Sequence, residues 1–583
     1  MGWVSRYVET AASLQRIIRS RLKLAEFSLS REGKILLGLV AAGAFLRLYL
    51  LGNKSVWLDE AFSIAMGQRG VIDLLHKVIL ADAHPPLYYL LLKFWMILGT
   101  GEAQVRLLSA LFSIAAIPVM YALVANLYGD KRIGLVGATI LAFSPFQIWY
   151  AQEARMYAML TLLVLLSAHF FFQALNTGRR KDWLGYVIAT TLALYTDNGA
   201  IWYVVTISIF YLVSMKRFPG NPMDWFLSNA AISLLYIPWL PFFLEQARQV
   251  TQSFWLTAPT FSTVLETFLD FHSYNFPVTE LSLVYMALIF VWVTIVPAGE
   301  WQRRLAGMWL FIPVATSLLL SLRQPIFLSR NLIAASLGYY LLITGTIWRF
   351  HNKKATLALL LPLLAMNLVS IGYNAWHEQK EDWRGVASYV ARSAQKRPGG
   401  IVVFIPGYTE IPFSYYFKDY SIVVDTQGYP GDEVLLHPQP KQMDDIAKVL
   451  EGRPYVWLVV RDIELADPNW TVKTWLDTHG YVRQKDLVRE SITVLPYIRW
   501  DLAPKSAPEN SQVGLDSFLP LVQRGRELEA YQVKPGETLL EIAVRYETTV
   551  QLLMEINALK NPNELTAGQE LLVPVVREGT PYP

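Results

Sequence analysis

Charged and hydrogen-bonding side chains at the ends of long apolar stretches are the first place to look for chemistry, because a charge held at membrane depth is costly and is kept for a function. In this sequence they collect on one side: Asp59, Glu60, His84, Glu102, Arg106, Gln152, Glu153, Arg155, Asp197, His272 and Arg330. A carboxylate among them can serve as a general base, and a guanidinium such as Arg330, at the start of an apolar stretch, can hold phosphate oxygens through two parallel N–H donors. Glu153 and Tyr157 are four residues apart, which puts both on one face of a helix. The chain contains no cysteine, which excludes disulfides, thiolate metal sites and a cysteine nucleophile.

Each of these residues also has a structural reading. Asp59 or Glu60 can cap a helix. Gln152 to Tyr157 can be a polar helix end at the interface, with Tyr157 an ordinary belt aromatic. Arg330 can be a snorkelling anchor, and Asp197 is a common turn residue. His84 and His272 lie too far apart in sequence to form a ligand pattern by spacing, and a hydrogen-bonded structural histidine is the plainer reading of each.

The elements that would position them are membrane helices. The 583 residues are 53% hydrophobic and 17% charged, too apolar for a soluble chain of this size. Stretches of roughly 17 to 25 apolar residues, long enough to span a bilayer, recur at 34–52, 105–128, 133–150, 157–175, 183–197, 199–214, 226–244, 281–298, 305–321, 331–348 and 355–374. Basic clusters fall in alternate loops: Arg19, Arg21, Lys23 and Arg31; Lys131 and Arg132; Arg179, Arg180 and Lys181; Lys216 and Arg217; Arg303 and Arg304; Lys353 and Lys354. The positive-inside bias makes those loops cytoplasmic. The predicted organisation is a basic cytoplasmic lead-in at 1–33, a membrane domain at 34–375 with about eleven spans, and everything after it outside. The first outer loop, 53–104, predicts helices lying along the membrane surface. Beyond the membrane, predicted helices at 383–395 and 444–450 and buried strands at 401–405 and 455–460 imply a small α/β domain over 376–500. A linker follows at 501–529, then a compact unit at 530–576.

Trp57-Leu58-Asp59-Glu60 after the first span, His84-Pro85-Pro86-Leu87-Tyr88-Tyr89, Glu102 with Arg106, Tyr150-Ala151-Gln152-Glu153-Ala154-Arg155-Met156-Tyr157 and Glu381-Asp382-Trp383-Arg384 together resemble the GT-C glycosyltransferases. They match the bacterial branch related to protein O-mannosyltransferases and to the lipid A aminoarabinose transferase. The resemblance covers roughly residues 35 to 500 and implies transfer of a sugar from a polyprenyl-phosphate carrier to an acceptor outside the cytoplasm, with inversion. It makes Asp59 the base, Glu153 the second acidic position, and Arg330 a ligand of the lipid phosphate. Glu60, His84, Glu102, Arg106, Gln152, Arg155, Tyr157 and Asp197 would line the substrate site. His84 stands where relatives carry a metal-binding glutamate, and His272 lies in the loop that supplies a histidine, so a divalent ion is an open possibility. Nicotinamide, flavin, haem and nucleic acid are not expected.

Tyr531 to Leu539, Ile542-Ala543, Tyr546, Leu553, Ile556-Asn557 and Leu565 to Pro574 closely resemble a LysM module, a strand, two helices and a strand. Such modules generally bind peptidoglycan or other glycans containing N-acetylglucosamine. Gly536, Thr538, Ile556 and Asn557 match the groove, while Leu539, Ile542 and Leu572 are expected in the core. The fold expected for the whole chain is therefore a polytopic α-helical membrane domain of the GT-C type, an extracytoplasmic α/β domain and a βααβ LysM module. Two other readings remain: a transporter or lipid flippase, which predicts paired repeats and polar groups at the bilayer midplane, and a non-catalytic wall-tethering anchor, in which Asp59 would be dispensable.

Overall fold

A computed structural model describes residues 30–82, 84–218, 220–253, 258–295, 300–348, 353–377, 380–430, 440–502, 526–534, 537, 539–546, 553–554, 556–557, 559, 565–566 and 568–576. Most of the basic lead-in and of the linker, and the groove residues Gly536 and Thr538, lie outside the described residues. The chain divides into two compact units, one ending at Leu502 and the other beginning at Ala503.

In the first unit each expected span overlaps helix, with 133–150 and 226–244 each divided between helical segments and 296–298 outside the described residues. Among the described residues, six helices are long and apolar enough to cross a membrane, or up to seven if a bent pair counts as one span. The difference from eleven has a physical basis. Arg180–Leu194 has 15 residues, Ile333–Trp348 16 and Thr279–Ile295 17, short for a hydrocarbon core of about 30 Å at about 1.5 Å per residue. Arg31–Leu48 carries Arg31, Glu32, Lys34 and Arg47.

The bent pair, Lys131–Ala142 and Pro145–Ala151, turns by 59°. Pro145 cannot donate to the preceding turn, so carbonyls at the end of the first piece are left over. Arg47, fully buried, takes two of them, with N–H donors 3.0 Å from the Leu141 oxygen and 2.9 Å from that of Ala142, and donates to Ser113 Oγ at 2.7 Å. The segment 53–104 forms helices Leu58–Gln68, Val71–Ala81 and Leu87–Trp95. It leaves Ile72, Phe94, Ile97 and Leu98 exposed, apolar side chains suited to a helix lying at an interface.

Among its described residues the α/β part has six strands: β1 Ile401–Ile405, β2 Asp425–Gly428, β3 Tyr455–Val460, β4 Tyr481–Arg483, β5 Leu487–Arg489 and β6 Ile492–Arg499. Their order is β2-β1-β3-β6-β4, with β5 on β6. Strands β2, β1 and β3 run parallel, while β6 is antiparallel to β3. Strand β1 is buried throughout, as its unbroken apolar run requires when both faces of a sheet are covered. The helix Glu410–Phe417 packs on Leu58–Gln68 of the membrane part. There Tyr416 Oη accepts from the Val56 N–H at 2.7 Å, donates to Glu102 Oε1 at 3.1 Å, and lies beside Arg384, which donates to the same Glu102 oxygen at 2.8 Å.

In the second unit β7 Arg526–Gln532 pairs antiparallel with β8 Glu570–Val576, and Leu539–Arg545 is helical. Leu539, Ile542, Leu553, Leu571 and Val573 form its core. Leu572 is exposed, contrary to its expected core position. Alternate residues of a strand face opposite ways, and in β8 the inward set is Leu571 and Val573.

Candidate active site

The acidic pair at the start of Leu58–Gln68 splits into two environments. Glu60 is 0% exposed, and both its oxygens are occupied. Arg106 donates from Nε to Oε1 at 2.8 Å and from Nη2 to Oε2 at 2.7 Å, the Ala154 N–H donates at 2.9 Å, and Lys380 Nζ lies 3.4 Å away. Burial alone would raise its carboxyl, but Arg106 and Lys380 outweigh that and bring it to about 2. Arg106 spends its remaining donors on the Leu51, Lys54 and Ser55 carbonyls at 3.0, 2.8 and 2.9 Å. The two side chains therefore staple the loop after the first span to the Glu102–Tyr128 helix.

Asp59, on the next position, is 24% exposed. Its carboxylate meets Arg330 Nη1 at 3.4 Å, too long for a strong hydrogen bond. Burial pushes this carboxyl up, and Arg155, Arg330 and His84 more than reverse the effect, holding it below the ordinary range. Arg155 is buried beneath, donating to Tyr89 Oη at 3.2 Å and to Ser63 Oγ at 3.3 Å, and lies 3.5 Å from the Asp59 carbonyl. Its Nε is buried with no partner. The guanidinium of Arg330, 22% exposed, stands 5.7 Å over the Trp57 ring. A half-open carboxylate with two guanidiniums beside it can take a proton and hold an anion at one spot.

Glu153, in the turn before Tyr157–Thr177, is 2% exposed. Its Oε1 meets Lys380 Nζ at 3.2 Å, and its Oε2 is buried without a partner. Burial raises its carboxyl, Lys380 opposes and the Glu60 charge adds, with a net upward shift. Tyr157 is buried against Tyr150, ring centroids 5.0 Å apart, and the Arg155 guanidinium lies 6.0 Å from its ring.

Other candidates are placed differently. Gln152 donates to the Leu46, Arg47 and Tyr49 carbonyls, satisfying the end of Arg31–Leu48. Glu102 holds Arg384 and Tyr416 at the junction with the α/β part. His84 Nδ1 pairs with Asp197 Oδ2 at 3.3 Å. His272 Nδ1 bonds Tyr339 Oη at 2.7 Å, and its Nε2 is buried without a partner. The two histidines thus have separate partners, and among the described residues no group of three His, Cys, Asp or Glu could hold a metal ion. The residues present do not fit a divalent ion, and no step below runs through one. In the second unit, Asn557 ties Leu572 by both backbone groups, at 2.6 and 2.9 Å, and also donates to the Leu553 carbonyl at 2.8 Å. Ile556 is nearly buried. Both are engaged in the module's own packing.

Two residues of the site, Lys380 and Trp149, carry no local sequence signal, and Trp57 is singled out only as part of its motif. Lys380 reaches Glu60 across 320 positions. Trp57 and Trp149 face its ammonium at 5.8 and 5.6 Å. The Glu381 to Arg384 motif is dispersed by role: Glu381 bonds Arg461 at 2.7 Å, Asp382 caps its helix through the Gly385 N–H at 2.9 Å, Trp383 is buried, and Arg384 reaches Glu102.

Residues 83–242 match the family of dolichyl-phosphate-mannose-protein mannosyltransferases, and residues 531–574 match the LysM domain. The apo structure of ArnT from Cupriavidus metallidurans superposes with a TM-score of 0.54 at 14% identity, covering 80% of this chain and 98% of that one. ArnT of the same organism bound to undecaprenyl phosphate gives 0.52 at 14% identity, covering 82% and 100%. The Archaeoglobus fulgidus oligosaccharyltransferase gives 0.50 at 11%, covering 95% and 89%. The fold is thus the one shared by ArnT and the oligosaccharyltransferase, and the matching family is one of mannosyltransferases. Among curated proteins, an L,D-transpeptidase, YkuD, of Bacillus licheniformis is 43% identical over 53 residues, 9% of this chain. The Bacillus subtilis N-acetylmuramoyl-L-alanine amidase XlyA is 31% identical over 108 residues, 18% of this chain. The chain spans only 32% and 33% of the length of these two.

Proposed function

We infer that this protein transfers a sugar from a polyprenyl-phosphate donor to a hydroxyl of an acceptor outside the cytoplasm, by a single inverting displacement with Asp59 as base. The observation that carries the reading is the contrast between the two adjacent carboxylates: Glu60 has four donors around it, while Asp59 is ionised, partly open and faces Arg330 loosely. Asp59 takes the acceptor proton as the acceptor oxygen bonds the anomeric carbon. The carbon–oxygen bond to phosphate breaks, and the phosphate leaves with the electron pair. A phosphate departs as a stable anion, so the reaction has little need of the second, acidic carboxyl that glycoside hydrolysis uses. Arg330 and Arg155 would stabilise that anion. As phosphate draws Arg330 away from Asp59, the carboxylate becomes a stronger base where the acceptor must lose its proton.

The donor class is supported by the named substrate of the matching family and by the undecaprenyl phosphate bound to the ArnT neighbour. The alternation of basic loops supports a cell-membrane protein with its N-terminus in the cytoplasm and the α/β and LysM parts outside. The LysM module would hold the enzyme near peptidoglycan or another N-acetylglucosamine glycan. The acceptor is a protein, lipid or wall glycan.

Membranes carrying the inserted chain, supplied with a panel of polyprenyl-phosphate sugars and an envelope fraction, are expected to consume one donor and label an acceptor. Failure of every donor with the chain correctly inserted would remove the reading. A second expectation concerns pH. The profile of kcat/KM reports groups of the free enzyme. A carboxylate with a lowered pKa stays ionised at neutrality and is lost only as pH falls through that lowered value, so the acid limb that Asp59 contributes lies below the ordinary carboxylate range. Arg330→Gln removes one of the cations that oppose burial, and the limb is expected to move to higher pH. An unmoved limb in an active Arg330→Gln protein would show that another group controls it.

A further inference from the structure

Lys380 lies beyond the last spanning helix, Lys353–Trp376, and directly before the α/β part. It is 7% exposed, and its ammonium sits between Glu60 and Glu153, at 3.4 and 3.2 Å, against the faces of Trp57 and Trp149. The residues after it belong to the α/β part. Glu381 is held by Arg461, just past β3, at 2.7 Å and by Trp383 Nε1 at 2.7 Å, and Arg384 anchors the same helix on Glu102. The position of the ammonium therefore depends on how the α/β part is docked, through Arg384, Tyr415 and Tyr416.

Resting on the transferase reading above, we propose that Lys380 is a positioning residue for Glu153. Docking of the α/β part places its ammonium on Oε1, favouring the carboxylate form of Glu153 over the acid and leaving its unpartnered Oε2 open to accept a hydroxyl of a bound sugar. The α/β part then completes the active site and is more than a spacer for the tail.

The groups around Glu153 leave this task to Lys380. Glu60, from Leu58–Gln68, is negative and adds to the repulsion. Arg106, from Glu102–Tyr128, is spent on Glu60 and three carbonyls. Tyr88 from Leu87–Trp95, Tyr150 from Pro145–Ala151 and Tyr274 after Phe261–Ser273 are uncharged phenols near it. Arg330 faces Asp59 at 3.4 Å and reaches Glu153 only through its field. A buried carboxylate deprived of an adjacent cation gains about 1 to 3 pKa units.

In Lys380→Met the acid limb that Glu153 adds to kcat/KM, distinct from the lower one of Asp59, is therefore expected to rise by about one pH unit or more, with a tenfold loss or greater on its acid side and recovery at higher pH. Lys380→Arg is expected to restore the wild-type limb. In a Glu153→Gln background, Lys380→Met should move the limb no further. Arg384→Ala, which touches neither carboxylate, should shift it in the same direction by loosening the docking. A readout independent of turnover is the infrared band of a protonated buried carboxyl, which should appear at neutral pH in Lys380→Met and be absent in Lys380→Met/Glu153→Gln. An unshifted limb together with no new band overturns the proposal, as does a band that persists when Glu153 is replaced. A wild type that transfers no sugar, combined with the expected band, would count against the transferase reading and leave the Lys380–Glu153 coupling standing.

Discussion

Asp59→Asn is expected to lower turnover by about 10²- to 10⁴-fold, the usual share of a positioned general base, with donor affinity changed far less. The amide keeps the shape of the side chain and its place by Arg330, so the phosphate clamp of Arg330 and Arg155 survives while the proton acceptor is lost. Glu60 makes the informative control. Its carboxylate is enclosed by Arg106, Lys380 and the Ala154 N–H, so Glu60→Gln should act mainly on stability and on the position of the helix that carries Asp59. Single-turnover transfer from a labelled polyprenyl-phosphate sugar separates the two effects, because donor binding and the chemical step are read independently. Asp59→Asn protein that is correctly inserted and transfers at the wild-type rate would eliminate the base assignment.

The largest effect on stability is expected at Arg106. Arg106→Met removes the bidentate partner of a fully buried carboxylate and frees the Leu51, Lys54 and Ser55 carbonyls. Breaking one side of a buried pair costs about 3–5 kcal/mol, because the remaining charge has lost its compensation. Lys380 is a poor substitute at 3.4 Å. The apparent unfolding temperature in detergent should fall markedly, and the abundance of the protein in membranes with it. Replacing both partners by apolar residues should recover much of the loss, since an apolar pair bears no desolvation penalty. Arg106→Met with wild-type unfolding temperature and abundance would mean that the staple contributes nothing.

Much of the architecture is legible in residue order because it rests on local chemistry. Apolar stretches become helices wherever they occur, since only a helix satisfies its own backbone in hydrocarbon. The unbroken runs Ile401–Ile405 and Tyr455–Val460 become the central strands of the α/β sheet for a similar reason. The number of membrane crossings is less legible. Arg180–Leu194 and Thr279–Ile295, of 15 and 17 residues, fall short in length. Sequence pattern also misplaces Leu572, because the inward face of a strand depends on its register with its partner.

Residue types and their order showed acids and cations gathered at the ends of apolar stretches, and they singled out Asp59, Glu153, Arg155 and Arg330 as the residues to examine. The distinction between Asp59 and Glu60 belonged to tertiary structure. The two are neighbours of the same charge, and only the approach of Arg106 and Ala154 from other segments turns one into a structural staple and leaves the other open. Tertiary structure alone also gave Lys380 its place between two carboxylates, one of them 320 residues away in sequence. It likewise separated His84 from His272 by giving them different partners. A side chain's charge is encoded where it stands, but whether that charge is saturated, buried or open depends on what the fold brings within about 4 Å of it.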